Sequence, residues 1–247
     1  MRKAGRLVYE ALRRCREACH AGVTTAAINA EAEQVIASAS GATGLFLNYP
    51  NPSGGPVFPA VTCISLNEQI VHGIPGSRVV KDGDLVSIDV GIRLNGWCAD
   101  SATTVMVGAV SKDRRRLCEV TQHVLQIAVE NMRPGVRWSS IAEKMQKYAE
   151  RAGLGIIKDF VGHGIGRDLH EEPKVPNFVS RELQRNDIEL KPGVVLAVEP
   201  MCALGNGRTG RCDDHWTIVT ADGSAAAHYE HTIAVTDTGS DVLTDGR

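Results

Sequence analysis

The sequence predicts a mixed α/β domain built from two similar halves whose strands face inward and enclose one site at their junction. Three observations point there. The order helix, Gly-Val turn, helix, strands occurs twice, and Gly22-Val23 precedes Ile28 by the same gap that separates Gly135-Val136 from Ile141. Such an echo marks a duplicated unit. The strand-like runs that follow each helix pair carry acids beside or at the end of aliphatic stretches. At 247 residues the chain is long enough to bury one sizeable core.

Taken in order, Ala4, Leu7, Val8, Ala11, Leu12, Cys15 and Cys19 recur at helical spacing, which predicts an amphipathic helix from Met1 to about Cys19, stopped by Gly22. Thr24 or Thr25 caps a second helix that packs through Ile28, Ala32, Val35 and Ile36 and ends near Gly41. A Pro- and Gly-rich loop spans Tyr49 to Pro59. Strands follow over Val61 to Leu66 and Leu85 to Gly91, with a hairpin return through Ser101 to Val107. The second half opens with a helix capped by Ser111 and packed through Leu117, Val120 and Val124. Another helix follows Gly135, for which Ser140 and Glu143 have the spacing of a capping box.

A formal net charge of −2 and the lack of any dense basic run argue against nucleic-acid or membrane-surface binding. No apolar stretch is long enough to span a bilayer, so a cytoplasmic location is expected. The seven cysteines include no CxxC pair, which fits neither a disulfide framework nor a zinc knuckle. A metal would therefore be held by His, Asp and Glu, a donor set suited to labile divalent ions.

Several residues carry that chemistry. In Val86-Ser87-Ile88-Asp89-Val90 the acid lies opposite the packed face. Asn95-Gly96 is a strong two-residue hairpin signal that pairs Leu94 with Trp97 and hence Asp89 with Ala102. Asp100 then becomes the diagonal neighbour of Asp89, with Cα atoms about 7–8 Å apart on one face. Like charges so placed call for a cation. His163 stands between Gly162 and Gly164, where the backbone can turn tightly, and His170 opens the polar cluster His170-Glu171-Glu172-Pro173. Glu199 ends the apolar run Val194 to Val198, and Glu230 begins another strand. Acids in such places cost several kcal/mol unless paired. No Lys or Arg lies near either in sequence.

The strings NEQIVHGIP, DGDLVSIDV, NGWCADSATT, GHGIGRDLHEEP, LAVEPM and HYEHT, in this order, resemble the signature blocks of the type I methionine aminopeptidases over nearly the whole chain. The resemblance implies an α/β (α+β) pita-bread fold: one catalytic domain, 1–247, with a curved, mostly antiparallel sheet in two pseudo-symmetric halves, about 1–110 and 111–247, and helices on its outer face. It implies two divalent metal ions per chain (Fe, Mn, Co or Zn) held by Asp89, Asp100, His163, Glu199 and Glu230. Removal of the initiator methionine would proceed by attack of water activated between the ions. His72 and His170 fall on substrate-contacting histidines, and Glu199 is the implied proton carrier. The methionine side-chain pocket maps to Phe58, Cys63, Leu169 and Trp216, with leucine at 169 where the family has an aromatic residue. The implied partners are nascent polypeptide N-termini, with room for a transient ribosome contact; a monomer is expected. A proline-directed peptidase of the same fold usually carries a further N-terminal domain, for which this chain has no room. A metal-free scaffold ranks last because all five ligand positions are intact.

Overall fold

The computed structural model describes residues 1–247. Each half begins with two helices: α1 (Arg2–Ala18) and α2 (Thr25–Ser38), then α3 (Lys112–Asn131) and α4 (Trp138–Arg151). The strands of the first half are β1 (Ala42–Gly44), β2 (Thr62–Leu66), β3 (Gln69–Val71), β4 (Leu85–Leu94) and β5 (Trp97–Met106). After α4 come β6 (Gly155–Ile156), β7 (Gly162–Gly164), β8 (Glu171–Val175), the short helix α5 (Arg181–Arg185), β9 (Val195–Val198) and β10 (Met201–Ala203). The chain closes with β11 (Thr209–Arg211), β12 (Ile218–Thr220), β13 (Ala226–His228), β14 (His231–Val235) and β15 (Ser240–Val242).

Every ladder is antiparallel. The two largest sheets are β1-β4-β2 with β5 on β4, and β15-β14-β9-β7-β8. Helix α1 packs on β4, β5 and α2 through Ala4, Val8, Ala11, Leu12 and Cys15, while α3 and α4 cover the second half through Leu117, Val124, Trp138, Ile141 and Met145. Each helix pair thus shields one sheet on its outer side, leaving the inner faces to meet. No helix is long and apolar enough to cross a membrane.

The helix–helix turns repeat one another bond for bond. Gly22 N–H donates to Val80 O and Val80 N–H to Val23 O; Gly135 N–H donates to Leu190 O and Leu190 N–H to Val136 O. Both glycines take positive φ, 96° and 82°, where a side chain would be strained.

Asn95 and Gly96 both adopt positive φ and close the β4–β5 hairpin as a two-residue turn. Leu94 pairs with Trp97, Asp89 with Ala102 and Gly91 with Asp100, the register expected from the turn. The strands run longer than the expected Leu85–Gly91 and Ser101–Val107 because pairing continues to the turn itself.

The capping box expected at α4 is not formed. Arg137 occupies the N-cap position without a side-chain cap, and Ser140 Oγ donates back to Arg137 O. Asp187 supplies the cap from 48 residues away, accepting Ser139 N–H at 2.9 Å and Ser139 Oγ–H at 2.6 Å. Replacing a capping acid by alanine costs about 1 kcal/mol. In a chain of this size that is a fall of roughly 2–4 °C in Tm. Asp187→Ala is expected to show it in a thermal melt, and Glu143→Ala to show nothing comparable.

Candidate active site

The inner faces of the two sheets meet along a seam stitched by backbone. Ala102 and Glu230 exchange both N–H···O bonds, at 3.4 and 2.9 Å, and Thr232 Oγ1 both accepts from Asp100 N–H and donates to Asp100 O. Asp89 and Asp100 come from the first half; His163, Glu199 and Glu230 come from the second.

Five side chains converge there. Ligating atoms of Asp100, His163 and Glu230 lie within 4.8 Å of one another. Glu199 Oε1 is 3.6 Å from His163 Nε2, and Asp89 adjoins Asp100 on the hairpin face. Asp100 is 4% exposed and Glu230 2%. Asp89 Oδ1, Asp100 Oδ1 and Glu230 Oε1 are buried without any hydrogen-bond partner. No Lys or Arg pairs with any of the four acids. Three orphaned carboxylate oxygens in one buried cluster call for a cation, and the set fits a divalent ion.

Electrostatics say the same. Burial, reinforced by the neighbouring acids, holds Asp89 and Glu230 well above the usual carboxylate range. Burial and the Asp100 charge do the same to Glu199, and burial pushes Asp100 up to about 7. His163 is driven down to about 4, first by burial. It is neutral, and its contact with Glu199 is no ion pair. His163 Nδ1 meets Gly164 O at 2.8 Å, so the ring proton sits there and Nε2 faces the acids with a free lone pair.

The glycines flanking His163 serve a purpose other than turning. Neither has positive φ. A Cβ on Gly162 would stand 2.4 Å from Ala197 O, and one on Gly164 2.3 Å from Glu172 O. They let β7 lie flat between β8 and β9, which sets the imidazole at the depth of the acids.

These groups floor a cavity of about 450 Å³. Phe58, Cys63, Leu169 and Trp216 stand together as an apolar wall, with the Phe58 and Trp216 rings edge to face at 5.2 Å. Cys63 sits opposite Asp89 on the neighbouring strand, so wall and floor are adjacent. His170 lies 4.4 Å from His163, ring to ring, and its Nδ1 contacts Tyr49 Oη at 2.7 Å. His72 adopts φ 58° at the start of its loop, standing edge-on to Phe160 and Trp216. Burial, then the charges of His170 and Arg211, lower it to about 4. All eleven residues singled out in the sequence therefore line one cavity.

Sequence reasoning missed several others that line the cavity. Tyr49 was placed only as a loop boundary, since nothing in the sequence links it to a histidine 121 positions away. Phe160, Arg211 and His215 also line the cavity. The last has φ 67° in a tight turn, a conformation with no local signature in Asp-Asp-His-Trp.

Comparison with known proteins agrees with this geometry. The profile of metallopeptidase family M24 matches residues 1–237. The chain belongs to metallopeptidase family M24, among the methionine aminopeptidases. It is 42% identical over 244 residues to methionine aminopeptidase 1 of Bacillus subtilis (strain 168), covering 99% of this chain and 94% of that one. The crystal structure of a methionine aminopeptidase from Thermotoga maritima superposes with a TM-score of 0.91 at 37% identity, covering 99% and 94% of the two chains. A prolidase from Pyrococcus horikoshii shares the fold at TM-score 0.75 and 21% identity; the match takes in all of this chain and 61% of that one. The fold is the pita-bread fold of the family, and the family is one of metal-dependent peptidases. The buried Asp/His/Glu cluster is the chain's candidate site for a divalent metal.

Proposed function

We propose that this chain is a methionine aminopeptidase that removes the initiator methionine from new polypeptides when the second residue is small. The observation that carries the reading is the juxtaposition of an acidic, cation-seeking floor with an apolar wall of side-chain size. Asp89, Asp100, His163, Glu199 and Glu230 would hold two divalent ions, drawn from Fe, Mn, Co and Zn. When bound, such ions provide a nucleophilic water at neutral pH and polarise the peptide carbonyl. The chain acts as a single catalytic domain of two pseudo-symmetric halves, about 1–110 and 111–247, working as a cytoplasmic monomer in transient contact with the ribosome.

The chain's own groups do the rest. Glu199 takes the proton of the attacking water and returns it to the leaving amine. With Tyr49 as donor in its contact with Nδ1 of His170, that ring's proton would sit on Nε2, the tautomer able to hydrogen-bond the carbonyl oxygen as charge develops on it. His72, kept neutral, hydrogen-bonds the amide of the scissile bond. The acidic floor receives the substrate's free amino group, which an internal peptide lacks, so cleavage stops at the first residue. The unbranched methionine side chain fills the slot formed by Phe58, Cys63, Leu169 and Trp216.

Release of methionine from Met-Ala-Ser, abolished by chelator and restored by metal, is the expected result; preference for Ala-Pro substrates would overturn it in favour of a proline-directed peptidase. Leu169 packs in the same wall as Cys63 and Trp216. Size discrimination in an apolar pocket is worth about 1–3 kcal/mol per methylene. Leu169→Phe is expected to raise the preference for Met over Leu or norleucine in kcat/KM, mainly by losing activity on the alternatives. An unchanged ratio would remove Leu169 from the pocket.

A further inference from the structure

Beyond the reacting groups, the cavity has a rim whose charge the reaction does not use. Arg211 is the one permanent cation among the lining residues, the remaining charged members being the four acids of the floor. Its guanidinium pairs with no carboxylate; Nη1 donates to Ser53 Oγ at 2.9 Å. Asp214, three residues on, is already committed to Thr217 Oγ1 and to the Trp216 and Thr217 amides. Across the cavity mouth, Asn51 Nδ2 donates to His215 O at 3.1 Å, so two bonds tie the 51–53 segment to the 211–215 segment and hold the guanidinium in place.

The small sheet β11-β12-β3 fixes how far the backbone that carries this cation lies from the chemistry. Arg211 pairs with Ile218, and Ile218 with Val71, the residue before His72. Two strand spacings separate them, about 10 Å, and an extended peptide advances about 3.3 Å per residue. With His72 on the first peptide bond, Arg211 stands level with the third or fourth residue of a substrate leaving the site. Divalent ions bound at the floor would compensate its carboxylates, which leaves Arg211 as the permanent charge of the cavity lining beyond the floor.

We propose that Arg211 is a specificity-determining residue that favours substrates with a carboxylate side chain at the third or fourth position. This rests on the aminopeptidase reading above. The carboxylate would accept hydrogen bonds from the guanidinium, with Ser53 and His215 beside it, in a partly solvated pair. Exposed pairs of this kind contribute little, about two- to fivefold in an equilibrium constant. The contact is made with a side chain beyond the scissile bond, where no charge develops, so it is made equally in the ground and transition states and acts on KM.

The test uses metal-loaded full-length protein and C-terminally amidated peptides Met-Ala-Xaa-Gly and Met-Ala-Gly-Xaa, with Xaa as Glu, Gln or Lys. Amidation removes the terminal carboxylate as a competing anion. The expected result is a two- to fivefold higher kcat/KM for Glu than for Gln in at least one series, carried by KM and shrinking in high salt. Arg211→Gln brings the ratio to about one, and Arg211→Lys keeps most of it. Equal rates for Glu and Gln in both series, a preference for Lys, or a Glu preference that survives Arg211→Gln would each overturn the assignment. Failure to release methionine from any peptide would overturn the aminopeptidase reading itself, a different outcome from release without charge preference.

Discussion

Glu230→Gln is expected to abolish methionine release while making the metal-free protein more stable. The two effects have one cause. Glu230 is buried against three other acids, and burial followed by their charges raises its carboxyl well above the normal range. Without a cation the fold must either pick up a proton or bear an unpaired charge. Glutamine has the shape of the protonated acid and never ionises, so the substitution relieves the repulsion and removes a ligand together. Loss of the outer partner of a ligand already costs 10–100-fold in activity or affinity, so loss of the ligand is expected to exceed about 100-fold. Saturating metal at 100 to 1,000 times Kd stabilises a fold by about 2.7–4.1 kcal/mol. For wild type that is a rise of roughly 5–15 °C in Tm; for the variant most of the rise disappears.

The pH dependence gives this prediction a sign. Asp89, Asp100, Glu199 and Glu230 have folded pKa values raised above those of the unfolded chain, so the metal-free fold binds more protons than the unfolded state and loses stability as pH rises. His72 and His163, lowered to about 4, act oppositely, and their contribution is lost as pH falls from about 6.5 towards 4. Above pH 6.5 the four carboxylates carry most of the change; the Met1 amine, lowered by burial, opposes them near pH 8, and the buried thiols, raised by burial, add a loss of the same sign at higher pH. Melting of chelator-treated wild type should therefore decline from pH 6.5 upward, with Glu230→Gln declining less. A flat profile, or a variant less stable than wild type at pH 8 without metal, would contradict the reading of these acids as a cation site.

His170→Ala is expected to slow turnover by about 10²–10³, the usual cost of one oxyanion donor, while metal-induced stabilisation stays at the wild-type level. His170 is set off from the cluster that fits an ion: its ring meets His163 edge-on at 64°, and its Nδ1 is taken by Tyr49. Tyr49→Phe removes the hydroxyl bonded to Nδ1 of His170 but leaves the imidazole, so it should cost less than His170→Ala and affect kcat more than KM. If calorimetry showed metal affinity collapsing in His170→Ala, the residue would belong among the ligands.

The parts of this site legible in the sequence are those set by short-range rules. Asn95-Gly96 dictated a two-residue turn, the turn dictated the register, and the register put Asp89 and Asp100 on one face. Glu199 and Glu230 stood out because an acid at the edge of an apolar run needs a partner. What escaped was set by contacts between distant segments. The cap of α4 comes from Asp187, so a local capping box was the wrong place to look. The glycines beside His163 answer to the backbones of Ala197 and Glu172, whose proximity no window of sequence contains. Tyr49 lies on a loop and Arg211 ends a three-residue strand, both too short of periodic pattern to assign a direction to a side chain.

The seam between the halves has one more consequence. Two of the five candidate ligands belong to the β4–β5 hairpin and three to the strands of the opposite sheet, so an ion bound among them is also a cross-link between parts of the chain more than 60 residues apart. A molecule that loses its ions keeps its backbone stitches at Ala102 and Thr232 but regains the repulsion of four acids along the same line. Opening there exposes extended backbone to proteases, and populations of open forms translate into abundance. Metal supply would then set how long each molecule lasts as well as how fast it works.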